Sequence, residues 1–296
     1  LRHPTLLAAS PQRAFDRVPI AGIEASARHN ALARVVPVGG ANRRYRAGHG
    51  PRVHTPVMRV CIHRGAAEIG GNVVEVEHDG ARVVLDLGLP LAAALDSESP
   101  PLTISGLLKP SNSLLGVVIT HGHPDHYGLL AQVDPDIPVY VGAATARILA
   151  EAAFFTPMGA RIQPTGLLAD RTPFELGPFK ITPFLVDHSA FDAYALLVEA
   201  GGRRLFYSGD LRGHGRKHRL FERLISNPPP DIDALIVEGT RMGEADAASR
   251  GLASEDDVEA HAQETIESAA GLVLAMFSPQ NVGRLVSIYR PARRAR

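Results

Sequence analysis

Tryptophan is absent from this 296-residue chain and aromatic residues make up only 5% of it, so a core must come from aliphatic side chains. A single cysteine, Cys61, excludes an internal disulfide framework and any zinc knuckle built on several thiolates. Within MRVCIHR it reads as a small buried hydrophobe of a strand, in a reducing cytoplasm. No apolar run approaches the roughly 18 residues that cross a bilayer, which excludes a membrane-spanning helix. TLLAA near the start is too short for a secretory signal. Net charge is also absent: 31 basic side chains balance 31 acidic ones, so no global field draws in nucleic acid or anionic lipid.

The balance hides two unlike parts. Residues 1–57 hold nine Arg, no Lys and two acids, Asp16 and Glu24, a net +7 that leaves −7 for the remainder. This segment is rich in Arg, Ala, Gly and Pro without sustained periodicity, and it reads as a disordered leader. An organellar transit peptide and a basic arm touching RNA are two accounts of it. The simplest is non-native upstream sequence read in frame ahead of a start at Met58.

From Met58 the pattern becomes regular. MRVCIHR, NVVEVEH and ARVVLDL read as short strands, the last two joined by the hairpin signal Asp79-Gly80. LLGVVIT is a continuous apolar run of buried-strand type, and IPVY is followed by the helical VGAATARILAEAAFF. FELGPFKITPFLVDH, YALLVEA and RRLFYSG supply further strands, with Gly201-Gly202 as a turn. The last part alternates: DIDALIVEG as a strand, a helix capped by Ser254, GLVLAMF as a strand, and PQNVGRLVSIYR as a helix. A helix after Asp210 would bury Leu220, Phe221, Leu224 and Ile225.

Directly after the buried strand comes His121-Gly122-His123-Pro124-Asp125-His126. Histidines at i and i+2 of an extended segment point the same way, whereas Pro124 starts a helical turn that aims Asp125 and His126 elsewhere. One segment can thus serve two adjacent metal ions, and imidazole with carboxylate suits zinc. Partners must come from other strand ends, and Asp187-His188 and Asp210 are candidates.

THGHPDH, then VDHS, then YSGD resemble the ordered ligand motifs of the metallo-β-lactamase fold, and Asp86 in VVLDLG matches an acid that supports the site without holding metal. The resemblance implies an α+β fold, a four-layer αβ/βα sandwich over residues 58–240, with the site along one edge. It implies that His121, His123 and His188 hold one Zn2+, that Asp125 and His126 hold a second, and that Asp210 bridges them.

Within that superfamily, GAAEIGGN, DHSAFDAYALLVE and LIVEGT resemble segments of the ribonuclease J or β-CASP group. Glu238 then matches an acid used in proton transfer, and residues 241–296 resemble the first part of the smaller α/β β-CASP domain. Two later His motifs of that group have no counterpart before Arg296, so the second zinc site is expected to be incomplete and the chain possessed of an interrupted end. Arg212, Arg216 and Lys217, close behind Asp210, read as contacts to substrate phosphate. The implied activity is hydrolysis of phosphodiesters in single-stranded RNA or another nucleic acid by a metal-activated hydroxide. The resemblance further implies that Asp125 would orient the hydroxide and that Asp210 would set the metal spacing. The alternatives are a thioester or lactone hydrolase of the same fold, and a truncated zinc-binding remnant without catalysis.

Overall fold

The computed structural model describes residues 57–66, 68–91, 103–155, 160–240 and 253–295, together with the backbone of three strands between 16 and 37. In chain order the strands are β1 (Asp16–Ile20), β2 (Ile23–Ala27), β3 (Arg34–Pro37), β4 (Met58–Arg64), β5 (Val73–His78), β6 (Ala81–Leu85) and β7 (Leu114–Val118). They continue as β8 (Val139–Gly142), β9 (Gly166–Leu168), β10 (Phe174–Leu176), β11 (Phe179–Val186), β12 (Ala193–Ala200), β13 (Arg203–Tyr207) and β14 (Ala234–Val237). The helices are α1 (Pro124–Tyr127), α2 (Ala143–Ala152), α3 (His218–Ser226), α4 (Glu255–Ser268) and α5 (Val282–Arg294).

The strands form two sheets, ordered β1-β2-β4-β5-β6-β7-β8-β9 and β10-β11-β12-β13-β14-β3. Two of the hairpins follow from their turn residues. Asp79-Gly80 and Gly201-Gly202 all have positive φ, as a two-residue type I′ connection requires, and they close the pairs His78↔Ala81 and Ala200↔Arg203. Strand β7 pairs in parallel with both β6 and β8, which accounts for its unbroken apolar run.

Alternation along the strands divides the core into layers. Val76, Val83 and Leu85 of the first sheet meet Ile181, Leu196, Val198 and Leu205 of the second in a central cluster. Val84, Val117 and Ile119 face the other way, onto Leu149 of α2, while Ala195, Leu197 and Phe206 pack with Leu224 of α3. The result is the four-layer sandwich that the sequence resemblance implied. Among the described residues no helix is long and apolar enough to cross a membrane.

Several local expectations need correction. Part of the stretch read as a disordered leader carries β1, β2 and β3; β2 runs parallel to β4 from Ile23↔Met58, and β3 pairs antiparallel with β14. Sheet edges offer unpaired N–H and C=O groups that a segment can satisfy without a strong sequence pattern of its own. GLVLAMF forms no strand, and Leu272, Leu274 and Met276 point into solvent. A strand exists only with a hydrogen-bonded neighbour, and the described residues supply none there. Ile225 is exposed because it lies off the face that buries Leu224. Cys61 is half-buried on β4.

Candidate metal centre

The first ligand segment leaves β7 through Ile119 and Thr120, both fully buried. Pro124 then opens α1 at a position where its missing N–H costs nothing. The other two segments leave the second sheet, after β11 at Asp187-His188 and after β13 at Asp210. The site therefore sits where the ends of both sheets meet.

Three imidazoles converge. His123 Nδ1 lies 3.2 Å from His121 Nε2 and 3.0 Å from His188 Nε2. Nitrogens so placed match the edge of a tetrahedron with metal–nitrogen bonds of about 2.0–2.1 Å, an edge of about 3.3 Å. Outer contacts hold two of the rings by their remaining nitrogens: Thr120 Oγ1 is 3.0 Å from His121 Nδ1, and Ser189 Oγ is 3.4 Å from His123 Nε2. Burial and the neighbouring imidazoles hold the His121 pKa well below its ordinary value, and burial takes His188 down to about 3 against the pull of Asp210. Burial lowers the His123 pKa as well, so all three rings are neutral, the form that binds a metal.

A second group stands beside it. His126 Nε2 is 3.3 Å from Asp210 Oδ1 and 3.9 Å from Asp125 Oδ2, and Asp210 Oδ2 is 3.8 Å from His188 Nε2. Asp210 therefore lies between the two groups. The donor atoms of His121, His126 and Asp210 also lie within 4.8 Å of one another, as do those of the first trio. Burial raises the Asp210 pKa, but the hydrogen bond and charge of His126 overcome this and bring it to about 2. Burial likewise opposes the charge on His126, yet Asp86 and Asp210 on either side push its pKa well up.

Asp86, fully buried with φ +59°, accepts from Thr120 N–H (2.7 Å), Thr120 Oγ1 (2.9 Å) and the Tyr207 hydroxyl (2.8 Å), and its Oδ2 lies 2.8 Å from His126 Nδ1. It directs His126 without facing the cleft. Glu238 follows β14 and accepts from Leu211 N–H at 2.7 Å and Thr240 Oγ1 at 2.8 Å. Burial, reinforced by the charge of Asp210, raises its pKa. Glu238, Asp125, Asp210 and Tyr207 line one cleft.

The described chain belongs to a known architecture. A Beta-lactamase superfamily domain matches residues 82–276, about two thirds of the sequence. The chain belongs to the metallo-β-lactamase superfamily. Ribonuclease J of Mycobacterium tuberculosis is 28% identical over 252 residues, covering 78% of this chain and 42% of that protein. Ribonuclease J of Mycoplasma genitalium is 25% identical over 233 residues, covering 76% of this chain and 40% of that protein. The chain thus spans about two fifths of the length of these relatives. A crystal structure of a protein of unknown function from Enterococcus faecalis V583 shares the fold, with a TM-score of 0.59 at 21% identity over 78% of this chain and 62% of that one. In this superfamily setting the His/Asp cluster is a set able to bind metal.

Other site residues fall differently from expectation. Arg212, Arg216 and Lys217 do not line the cleft. Arg212 lies between Asp187 (3.7 Å) and Glu255 (3.9 Å), Arg216 pairs with Glu259, and Lys217 donates to the carbonyls of Ala190 and Phe191. Carboxylates on α4 occupy the guanidinium groups read as phosphate contacts. Conversely, Asn72 received no role in the sequence reading, although its Nδ2 is 3.0 Å from His126 Nε2. Its signal was the glycine-rich GAAEIGGN: a Cβ on Gly65 would meet Asn72 Oδ1 at 2.1 Å.

Proposed function

We propose that this chain is a zinc-dependent metallo-hydrolase acting on phosphodiesters, a ribonuclease of ribonuclease J or β-CASP type that works in the cytoplasm on single-stranded RNA. The observation that carries the reading is the convergence of His121, His123 and His188 beside the carboxylates of Asp125, Asp210 and Glu238. The similarity to ribonuclease J proteins supports the choice of substrate.

In this reading His121, His123 and His188 hold one zinc ion, Asp125 and His126 belong to a second site, and Asp210 stands between the two. Bound zinc supplies a lowered water pKa and polarises a phosphoryl oxygen. Asp86 accepts from His126 Nδ1, so Nε2 is the nitrogen that would give up its proton to act as a ligand. Glu238, with its raised pKa, keeps a proton closer to neutrality than an exposed glutamate and is placed to deliver it to a leaving oxygen.

The test is zinc content per chain together with cleavage of 5′-labelled single-stranded RNA, using His123→Ala as control. Zinc binding and cleavage that both fall in the variant are expected. Bound zinc with intact RNA rejects the nuclease reading, and turnover of a thioester in the same preparation redirects it to small-molecule hydrolysis.

A further inference from the structure

The helical pair α4–α5 touches three of the segments that carry the candidate ligands. Gln280, just before α5, donates from Nε2 to Gly122 O at 2.9 Å. Gly122 lies between His121 and His123, so the orientation of its peptide sets where both imidazoles point.

The other two segments are reached through Arg212. It follows Asp210 by two residues, its backbone N–H donates to Asp187 O at 2.7 Å, and Asp187 directly precedes His188. The Asp187 carboxylate is fully buried; Oδ2 accepts from Gly215 N–H, whereas Oδ1 has no hydrogen bond and faces Arg212 Nε at 3.7 Å. On its far side Arg212 Nη1 is 3.9 Å from Glu255 Oε1 of α4.

Glu255 is itself held firmly. It is 2% exposed, Arg284 of α5 donates to both its oxygens at 3.1 Å, Ser287 Oγ donates to it at 2.7 Å, and its backbone N–H donates to His214 O at 3.0 Å. Arg212 is thus suspended between two buried carboxylates, one next to a ligand and one on the helical pair. Removing one charge leaves it free to close on the other.

We propose that the α4–α5 pair is a clamp on the metal centre, with Gln280 and Glu255 as positioning residues that set how tightly His121, His123 and His188 hold a divalent ion. The inference rests on the reading of that trio as metal ligands, but not on any particular substrate. It assigns a task to two residues that the ligand motifs do not contain.

The experiment uses the full chain and Co2+, whose visible absorption reports ligand geometry. Gln280→Ala and Glu255→Gln are each expected to weaken Co2+ and Zn2+ binding by about 10–100-fold, the range typical of contacts behind a metal ligand, and to alter the Co2+ spectrum. Glu264→Gln, on the exposed face of α4, is expected to leave both unchanged. Should Glu255→Gln fail to fold, as judged by loss of a cooperative unfolding transition, the half-buried Gln280 position decides alone. Folded variants with wild-type affinity and spectrum overturn the clamp while leaving the metal centre standing. A wild-type chain that binds no Co2+ or Zn2+ overturns both.

Discussion

His126 Nδ1 and Asp86 Oδ2 lie 2.8 Å apart with neither side chain reaching solvent. The pair converts a carboxylate at the end of β6 into control over an imidazole on α1. Because Asp86 also accepts from Thr120 and Tyr207, it ties both sheets to the ligand segment.

Asp86→Asn tests that control. The amide keeps the shape but loses the charge and must turn an NH2 toward one of several donors. Bound divalent metal is expected to fall, with affinity reduced about 10–100-fold. A loss of stability on the order of 2 kcal/mol should accompany it, since a buried donor loses its acceptor. Metal analysis and urea unfolding on the same sample check both.

Gly88→Ala probes how the glycine-rich segment is seated. Asn72 N–H donates to Asp125 O at 3.0 Å and Gly88 N–H to Asn72 O at 2.9 Å, so three backbone segments meet behind the cleft. A Cβ on Gly88 would lie 1.7 Å from Asp125 O and 2.5 Å from Asn72 N. Both neighbours are backbone and cannot rotate away. The expected cost is about 3 kcal/mol or more, read as a lower unfolding midpoint. Wild-type stability would show that the segment can separate.

The candidate ligand segments were legible as a cluster because they are short and chemically unusual. His121 to His126 lie within six residues after a buried strand, and no packing requirement calls for that composition. The hairpins at Asp79-Gly80 and Gly201-Gly202 were legible for a similar reason, since few residues accept positive φ at two successive positions. What escaped is pairing between distant parts of the chain. Nothing around Arg212 announces that Glu255 will stand beside it. Likewise β3 is found through its register with β14, not through its own four residues. GLVLAMF failed in the opposite sense: its pattern suits a strand, but pattern cannot supply a neighbour.

Ser254→Ala separates the stability of α4 from the site. Ser254 Oγ accepts from Asp257 N–H at 3.1 Å, and Asp257 Oδ2 accepts from Ser254 N–H at 2.7 Å, a reciprocal capping box. Its removal is expected to cost about 1 kcal/mol. Thermal unfolding and the fraction of α4 amides protected from hydrogen exchange give the measurement. An unchanged exchange rate in the first turn of α4 would contradict the role of this cap.

A pH-dependent contribution to stability should come from His63, away from the ligand cluster. His63 Nε2 lies 3.3 Å from Glu75 Oε2, and Arg82 Nη1 is 3.4 Å from the same oxygen. Burial lowers the His63 pKa, but the contacts with Cys61 and Glu75 outweigh it and raise it from 6.5 to about 9. Because the folded value lies above the unfolded one, the stabilisation is complete below about pH 6.5 and disappears as pH rises through about 9. Glu75 works in the other direction: burial opposes its charge, but His63 and Arg82 lower its pKa, so its contribution is lost only as the solution becomes acidic. The difference in stability between wild type and His63→Gln is therefore expected to be on the order of 2 kcal/mol near pH 6 and to shrink toward zero by pH 10. Urea unfolding of both proteins across that range isolates this group from others that titrate there. A difference that stays constant from pH 6 to 10 would mean that His63 acts through packing alone and that its charge contributes nothing.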